Sequence, residues 1–188
     1  MGVTAICGIN WGDEGKGRMV DYFAETADYV VRFQGGNNAG HTVMNQFGKF
    51  ALHLLPSGIF NKKAMNIIGN GAVVNPQALY EEIQTIEKSV GKISNLLVSE
   101  RAHVIFPYHI LFDELEEERL KDKKFGSTKR GIAPVYSDKY LKTGILMSDL
   151  LNRDYLAQRI RNNLEYRNII VESVYKKPAI DADEMIEW

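Results

Sequence analysis

A glycine-rich segment near the start of the chain combines a lysine with two carboxylates. It reads WGDEGKGR and spans residues 11–18. Its three glycines let backbone N–H groups approach phosphate oxygens closely, and Lys16 adds a positive charge. The P-loop consensus is not met, because Asn10 stands at its first glycine and Gly17 at its metal-binding hydroxyl; the Rossmann order of glycines is also absent. The segment therefore predicts an atypical phosphate loop, with a plain glycine-rich turn as the alternative.

Asp13 is the unusual residue of this loop. A carboxylate beside a phosphate costs free energy unless a cation or a proton transfer accompanies it. The position of Asp13 therefore predicts a Mg²⁺ ligand, a general base, or both. The alternative is a carboxylate that stabilises the start of a helix, and Glu14 fits that role better.

A second cluster, QGGNNAGHTV, occupies residues 34–43. Its glycines supply backbone donors, its asparagines supply amides, and His41 supplies an imidazole. Ligands of open α/β sheets bind at strand ends, so we expect this cluster to lie near the first. A structural role is the alternative for His41, and it is the preferred interpretation for His53, His103 and His109.

A third cluster, GSTKRGIAP, covers residues 126–134. Ser127, Thr128, Lys129 and Arg130 place hydroxyls and positive charges around two glycines. This combination suits a phosphate monoester or a nucleotide. A solvated basic loop is the alternative.

The elements around these clusters predict an α/β fold. Residues 3–9 are predicted to form a buried strand, 18–27 a helix and 28–33 a second strand, which is the order of a parallel pair with a crossover. Further predicted elements are a hairpin around 45–49, strands at 64–69 and 95–100, and helices from Pro76 to Gly91 and over 107–122.

The last third of the chain is less regular. Residues 121–140 are polar and show no period, which predicts a long functional or disordered loop. Ser148 is predicted to cap a helix that carries Leu156, Ile160 and Leu164 on one face, and a further helix is predicted to begin in the tail DADEMIEW.

Composition excludes several classes of protein. Apolar residues make up 45% of the 188, charged residues 25%, and the net charge is -1, which indicates a soluble globular domain without the positive field that nucleic acid requires. No segment has the length and apolarity of a membrane span or the pattern of a signal peptide. The single cysteine, Cys7, is predicted to be a buried thiol in a reducing, cytoplasmic setting.

Five blocks of the sequence together resemble adenylosuccinate synthetase. They are WGDEGKGR followed by MVD, then VVRFQGGNNAGHTV, LHLLPSGIF, IIGNGAVVNPQAL and GSTKRGIAPVYSDK, in the order and spacing of that family. The resemblance implies a homodimeric enzyme on a mostly parallel central sheet with flanking helices, distantly similar to P-loop NTPases. Such an enzyme joins IMP and L-aspartate to form adenylosuccinate, with GTP hydrolysis and Mg²⁺, by way of 6-phosphoryl-IMP.

The resemblance also implies roles for individual residues. Asp13 matches the base that takes the N1 proton of IMP, and His41 matches the acid that stabilises charge on the transferred phosphoryl group. Asp13 and the Gly40 carbonyl match the Mg²⁺ ligands. The implied GTP contacts are Gly12, Asp13, Glu14, Gly15, Lys16, Gly17, Arg18, Gly40, His41 and Thr42. The implied IMP contacts are Asp13, Lys16, Asn38, Ala39, Gly40, His41, Thr128 and Lys142.

Three residues depart from the family pattern, and the chain is also shorter. Asn10 stands where the family usually has Gln and Arg18 where it usually has Lys, and both of these changes are mild in type. Lys142 falls where the family has an arginine that reaches the IMP phosphate across the dimer. A lysine keeps the positive charge but cannot form the bidentate hydrogen bonds of a guanidinium group. A relative that aminates another purine nucleotide is therefore an alternative. The family is also more than twice as long, so residues 1–188 are predicted to be the N-terminal part of a single domain, inactive by itself. A non-catalytic nucleotide-binding module is the other alternative.

Overall fold

The computed structural model describes residues 2–9 and 15–188. They divide into two compact units. The first unit holds residues up to Ala72 together with Pro76–Ser99, and the second holds Val73–Asn75 and Glu100–Trp188.

A parallel three-stranded sheet forms the centre of the first unit. Its strands are β1 (Tyr29–Arg32), β4 (Met65–Ile68) and β6 (Leu96–Val98), and β4 lies between the other two. These strands are rich in β-branched and aromatic residues, which suit a pleated surface. Alternate side chains of β1 and β4 are buried, as the twofold period of a strand requires. The predicted α/β class and parallel sheet are thus confirmed.

An antiparallel hairpin and two helices complete the first unit. The hairpin consists of β2 (His41–Asn45) and β3 (Gly48–Leu52), with His41 opposite Leu52. The helix α1 covers Lys16–Ala24. The helix α2 covers Pro76–Val90, begins at the predicted proline, and ends before Gly91, whose φ of 79° is accessible to glycine at little cost.

The second unit is mainly helical. A short parallel pair, β5 (Val73–Val74) and β7 (His103–Val104), packs against α4 (Ile132–Leu141). The other helices are α3 (Pro107–Leu120), α5 (Arg153–Ser173) and α6 (Ala182–Glu187). An apolar cluster of Val104, Phe106, Tyr108, Ile145, Ile160 and Leu164 forms its core.

The predicted strand at residues 3–9 is wrong. These residues have no regular secondary structure, and all except the half-buried Ile6 are exposed. Cys7 is consequently exposed, whereas the sequence predicted a buried thiol. An apolar run becomes a strand only where a neighbouring strand supplies hydrogen-bond partners, and in the described sheet neither edge strand, β1 nor β6, pairs with this run.

The predicted loop at 121–140 is wrong over its second half. It contains a 3₁₀ turn at Lys121–Lys123 and then α4 from Ile132 to Leu141. The sequence of α4 shows no helical periodicity of apolar residues, because one of its two buried positions is the charged residue Asp138. The other buried position is Val135. Pro134 lies in the first turn, where a missing N–H costs nothing.

The predicted cap of the long helix is also wrong. Asn152, not Ser148, precedes α5, and its side-chain oxygen accepts a hydrogen bond from the Tyr155 N–H at 3.1 Å. Ser148 lies in a preceding 3₁₀ turn, Met147–Leu151. The predicted apolar face is confirmed, since Ile160 and Leu164 are buried and Leu156 is half-buried.

Helices long and apolar enough to cross a bilayer are absent from the described ranges 2–9 and 15–188.

Candidate functional site

The predicted phosphate loop leads directly into α1. Its residues 10–14, which include Gly12, Asp13 and Glu14, lie outside the described part of the chain. From Gly15 onward the backbone turns into the helix. Gly15 has a φ of 76°, a conformation that glycine adopts more readily than other residues. The Gly15 carbonyl accepts the N–H groups of Arg18 and Met19 at 3.1 and 3.2 Å.

The first turn of α1 has the electrostatics of an anion site. Backbone N–H groups at a helix start carry partial positive charge and lack helical acceptors. Lys16 and Arg18 are exposed on this turn, and no acidic residue lies among its first residues. The described part of the loop therefore suits a phosphate group.

His41 contacts the start of α1. It is the first residue of β2, and its ring lies so close to Gly17 that a methyl group on Gly17 would come within 2.4 Å of the ring carbon Cδ2. The contact brings the two glycine-rich clusters together, as the sequence predicts. It also explains why position 17 carries no side chain.

The environment of His41 favours the neutral ring. Its Nε2 lies 2.7 Å from the hydroxyl Oγ of Ser57, a hydrogen-bond distance. Burial, with smaller electrostatic contributions from Arg32 and His53, lowers the pKa of His41 to about 4. Near pH 7 the ring is therefore neutral, with one N–H to donate.

The loop between β1 and β2 is held at its start and exposed at its end. Arg32 donates to the carbonyl of Gly36 at 2.7 Å, and Gly35 takes a φ of 83°. Asn37 is buried, whereas Asn38 and Ala39 are exposed. The structure thus leaves the predicted IMP contacts Asn38 and Ala39 accessible to a ligand.

Gly40 and Thr42 flank His41 and are also exposed. A methyl group on Gly40 would come within 2.6 Å of His53 Cε1, so the His53 ring packs against this glycine. The backbone of the loop end is thereby supported on one side by His53 and remains exposed on the other.

Sequence reasoning missed the residues that support His41. The carboxylate of Glu82, on α2, accepts the backbone N–H groups of His53, Leu54 and Leu55 at 2.8, 2.8 and 3.2 Å. In the sequence, Glu82 is one of several acidic residues on a helix, and nothing distinguishes it. Ser57 lies in the family block LHLLPSGIF, and its residue type alone indicates no role.

The third predicted cluster lies in the second unit. Asp113, on α3, accepts the Ser127 hydroxyl at 2.5 Å and the Gly131 N–H at 3.0 Å, and so holds both ends of the segment 127–131. Thr128 and Arg130 are exposed between these two anchors. The predicted IMP contact Thr128 is therefore presented on a fixed loop.

Lys142 lies directly after α4 and is exposed. It takes a left-handed φ of 63° as the C-cap. The backbone carbonyl of Asp138 accepts the N–H groups of Thr143 and Gly144, which closes the turn around Lys142. The side chain of Asp138 is buried and pairs with His109 and Arg167. A buried ion pair thus anchors the end of α4 that carries Lys142.

Comparison with known proteins decides the family. The family model described as adenylosuccinate synthetase matches residues 5–188 of this chain. The chain belongs to the adenylosuccinate synthetase family. Two curated relatives carry the same description. The sequence is 50% identical to the adenylosuccinate synthetase of Dehalococcoides mccartyi over the whole chain, and 48% identical to that of Halothermothrix orenii over 99% of it. The chain spans 44% of the length of both relatives.

Solved structures share the fold. The fully ligated adenylosuccinate synthetase of Plasmodium falciparum matches 96% of this chain with a TM-score of 0.80 and 35% identity, and the match covers 42% of that protein. The succinoaminodeoxyadenylate synthetase of cyanophage S-2L matches 83% of the chain and 45% of its own length, with a TM-score of 0.57 and 20% identity. At that identity the likeness shows the fold alone.

The described residues include one candidate donor for a Mg²⁺ ion shared with a nucleotide, the backbone carbonyl of Gly40. Within residues 2–9 and 15–188, no group of three His, Cys, Asp or Glu side chains could form a metal site by itself. Mg²⁺ usually takes only one or two protein oxygens and completes its shell with water and substrate phosphates. An exposed backbone at Gly40 beside the phosphate loop is compatible with that mode of binding.

Proposed function

We propose that this chain is the N-terminal portion of a GTP-dependent ligase that joins IMP and L-aspartate to form adenylosuccinate. The products are adenylosuccinate, GDP and phosphate, and the reaction belongs to AMP biosynthesis in the cytoplasm. The observation that carries the proposal is the contact between His41 and Gly17. It places an imidazole beside a helix start suited to phosphate, in a chain of this family.

The reaction proceeds in two displacements. The 6-oxygen of IMP attacks the γ-phosphorus of GTP, the bond to the β-phosphate oxygen breaks, and GDP leaves with that bond's electrons. The product is 6-phosphoryl-IMP. The amine of aspartate then attacks C6, and inorganic phosphate leaves. Asp13 takes the N1 proton of IMP in the first step, which makes the 6-oxygen a stronger nucleophile.

His41 acts on the phosphoryl group. A neutral imidazole N–H donates a hydrogen bond to a phosphoryl oxygen, and this interaction strengthens as charge develops in the transition state. The half-buried position of His41 excludes part of the water that would otherwise compete for that bond.

The phosphates of GTP are held by the helix start and the second loop. Gly12, Asp13, Glu14, Gly15, Lys16, Gly17 and Arg18 supply one set of contacts, and Gly40, His41 and Thr42 supply the other. The support for this assignment is the exposed, basic first turn of α1 and its contact with His41.

The proposed IMP contacts are those that the family resemblance implies: Asp13, Lys16, Asn38, Ala39, Gly40, His41, Thr128 and Lys142. In a homodimer, Lys142 would act on the nucleotide of a partner subunit. The exposure of Thr128 and Lys142 on anchored segments supports these roles.

Mg²⁺ would be held by Asp13 and the Gly40 carbonyl together with phosphate oxygens of GTP. When bound, it neutralises charge on the phosphates.

An assay of the complete gene product tests the proposal. With IMP, GTP, Mg²⁺ and aspartate, we expect adenylosuccinate to form. Asp13→Asn and His41→Asn should each lower kcat by about a hundredfold or more, because a general base or a charge-stabilising donor is lost. Ser89→Ala, an exposed change on α2, is the control.

The outcomes separate the alternatives. Full activity in both variants contradicts the assigned roles of Asp13 and His41. Product from GMP or dGMP but not from IMP identifies a synthetase for another purine nucleotide, as the lysine at position 142 allows. Binding of GTP without product from any of these nucleotides identifies a non-catalytic module.

A further inference from the structure

The segment that carries Ser57 is a rigid support beneath the His41 ring. Ser57 is only 3% exposed and opens the 3₁₀ turn Ser57–Phe60. Its hydroxyl lies 2.7 Å from His41 Nε2. A buried hydroxyl requires a hydrogen-bond partner, so the ring nitrogen and the hydroxyl satisfy one another.

The turn is anchored to the sheet by Asn66 of β4, which is fully buried. The Asn66 side-chain amide donates to the carbonyl of Gly58 at 3.1 Å. A methyl group on Gly58 would come within 2.6 Å of Val30 Cγ2 and 2.8 Å of Asn66 Oδ1. The residue after Ser57 is therefore packed directly on the strands β1 and β4, and Ser57 has little freedom to move.

The chain before the turn is anchored separately. Glu82 binds three consecutive backbone N–H groups from His53 to Leu55, and Leu54 and Leu55 are fully buried. Charge-assisted hydrogen bonds of this kind are about twice as strong as neutral ones. The support on which Ser57 lies is therefore fixed at both ends.

The His41 ring is consequently held on two sides, with its Cδ2 edge at Gly17 and its Nε2 at Ser57. A flip of the ring about the Cβ–Cγ bond would exchange Nε2 for Cε1 and Cδ2 for Nδ1. The hydroxyl of Ser57 would then face a carbon and lose its partner. The hydrogen bond therefore selects one of the two ring orientations, in which Nδ1 lies on the edge opposite the Gly17 contact.

We infer that Ser57 is a positioning residue, which holds the His41 ring in a single orientation beside the start of α1. The catalytic consequence rests on the proposed function, whereas the orientation of the ring does not. Ser57 itself acts only through the imidazole.

Ring NMR of the complete gene product tests the orientation without any nucleotide. In Ser57→Ala, we expect the ¹⁵N signals of the His41 ring to shift, because Nε2 loses its hydrogen-bond partner. The signals of His103 and His109 should stay in place. Ser89→Ala, an exposed serine on α2, should change none of them. Unchanged His41 signals in Ser57→Ala overturn the inference, whatever the enzyme does.

Kinetics of the complete gene product test the consequence. Ser57→Ala should lower kcat by about tenfold, the effect of losing one orienting hydrogen bond, while KM for GTP and IMP changes by less than about twofold. An unchanged kcat, or a loss that appears only in KM, overturns the positioning role. If the wild type forms no adenylosuccinate from IMP, the proposed function fails, and the NMR result still decides whether Ser57 orients His41.

Discussion

At the scale of single residues, Gly17 shows how close approach sets a residue type. Alanine would favour helix formation at this position by about 0.5–1 kcal/mol. The His41 ring nevertheless leaves no room, since a methyl group would lie 2.4 Å from Cδ2. The side chain is excluded by the neighbouring ring and not by the backbone, because Gly17 lies within the helix α1 and has no left-handed φ.

We therefore expect Gly17→Ala to displace the His41 ring. In the complete gene product, kcat should fall by at least about tenfold, because a small displacement of a catalytic group lowers the rate strongly. The free energy of unfolding should change little, because the gain in helix propensity offsets the repacking. Steady-state kinetics and urea unfolding measure the two effects. Gly2→Ala, where nothing lies within 4 Å, is the matched control; equal kcat values in the two variants contradict the prediction.

His109 is a second residue whose environment has a measurable consequence. Its Nδ1 accepts the Phe106 N–H at 2.9 Å, so Nε2 carries the proton and donates to Asp138 at 2.9 Å. Burial lowers the pKa of His109 below its ordinary value of 6.5, although Asp138 opposes the shift. The unfolded chain therefore takes up the proton first as the pH falls, and folding stability that is complete above about pH 6.5 decreases below it.

We expect His109→Gln to be less stable than the wild type at pH 7.5 and to lose less stability between pH 7.5 and 5. The fluorescence of Trp188 reports on this region, because its ring packs 5.3 Å from that of Phe106. Urea unfolding followed by Trp188 in a Trp11→Phe background gives the free energy at each pH. An equal pH dependence in both proteins contradicts the assignment of His109 as the responsible group.

At the scale of elements, the start of α5 distinguishes a sequence pattern from an observed cap. Ser148 precedes an apolar periodic run, but Asn152 is the residue whose side chain accepts the Tyr155 N–H. The five residues Met147–Leu151 form a 3₁₀ turn instead of the first turn of the helix. That turn is held by tertiary contacts, including hydrogen bonds from the backbone N–H groups of Met147 and Ser148 to Ala102 and Glu100.

Asn152→Ala should therefore lower the free energy of unfolding by about 1 kcal/mol, the usual cost of losing an N-cap. Ser148→Ala should cost clearly less, since its backbone contact survives the change. Urea unfolding of both variants at one pH compares them directly. A larger loss in Ser148→Ala than in Asn152→Ala indicates that the helix starts earlier in solution.

At the scale of the whole molecule, the chain corresponds to only part of the length of its relatives. It spans 44% of the curated relatives named above. The outward face of the parallel sheet also carries exposed apolar side chains at Tyr29, Val31 and Leu97. Parallel sheets are normally covered on both faces, so exposed apolar side chains on one face of this sheet are unusual.

We expect the isolated 188-residue chain not to turn over IMP, aspartate and GTP, because it spans only 44% of the length of its curated relatives. A coupled assay of adenylosuccinate formation compares the isolated chain with the complete gene product at equal concentration. Turnover by the isolated chain that Asp13→Asn abolishes would refute the expectation.

Much of the fold and of the candidate site follows from local sequence. Apolar period and β-branched content predicted β1, β4, β6, α2 and α3, because these elements bury one regular face. Glycine spacing and the types of Lys16 and His41 predicted a phosphate site near the start of α1, since closely spaced glycines let backbone N–H groups approach phosphate oxygens.

Tertiary structure decided the remainder. Whether residues 3–9 form a strand depends on a neighbouring strand, and whether Ser148 or Asn152 caps α5 depends on contacts with a distant segment. Ser57 and Glu82 are ordinary residues in the sequence and became part of the site only when folding brought them to His41 and to the backbone at 53–55. The sequence determined which chemistry is available, because chemistry belongs to residue types. The tertiary structure decided how the imidazole is held, because hydrogen bonds between distant residues leave no local pattern.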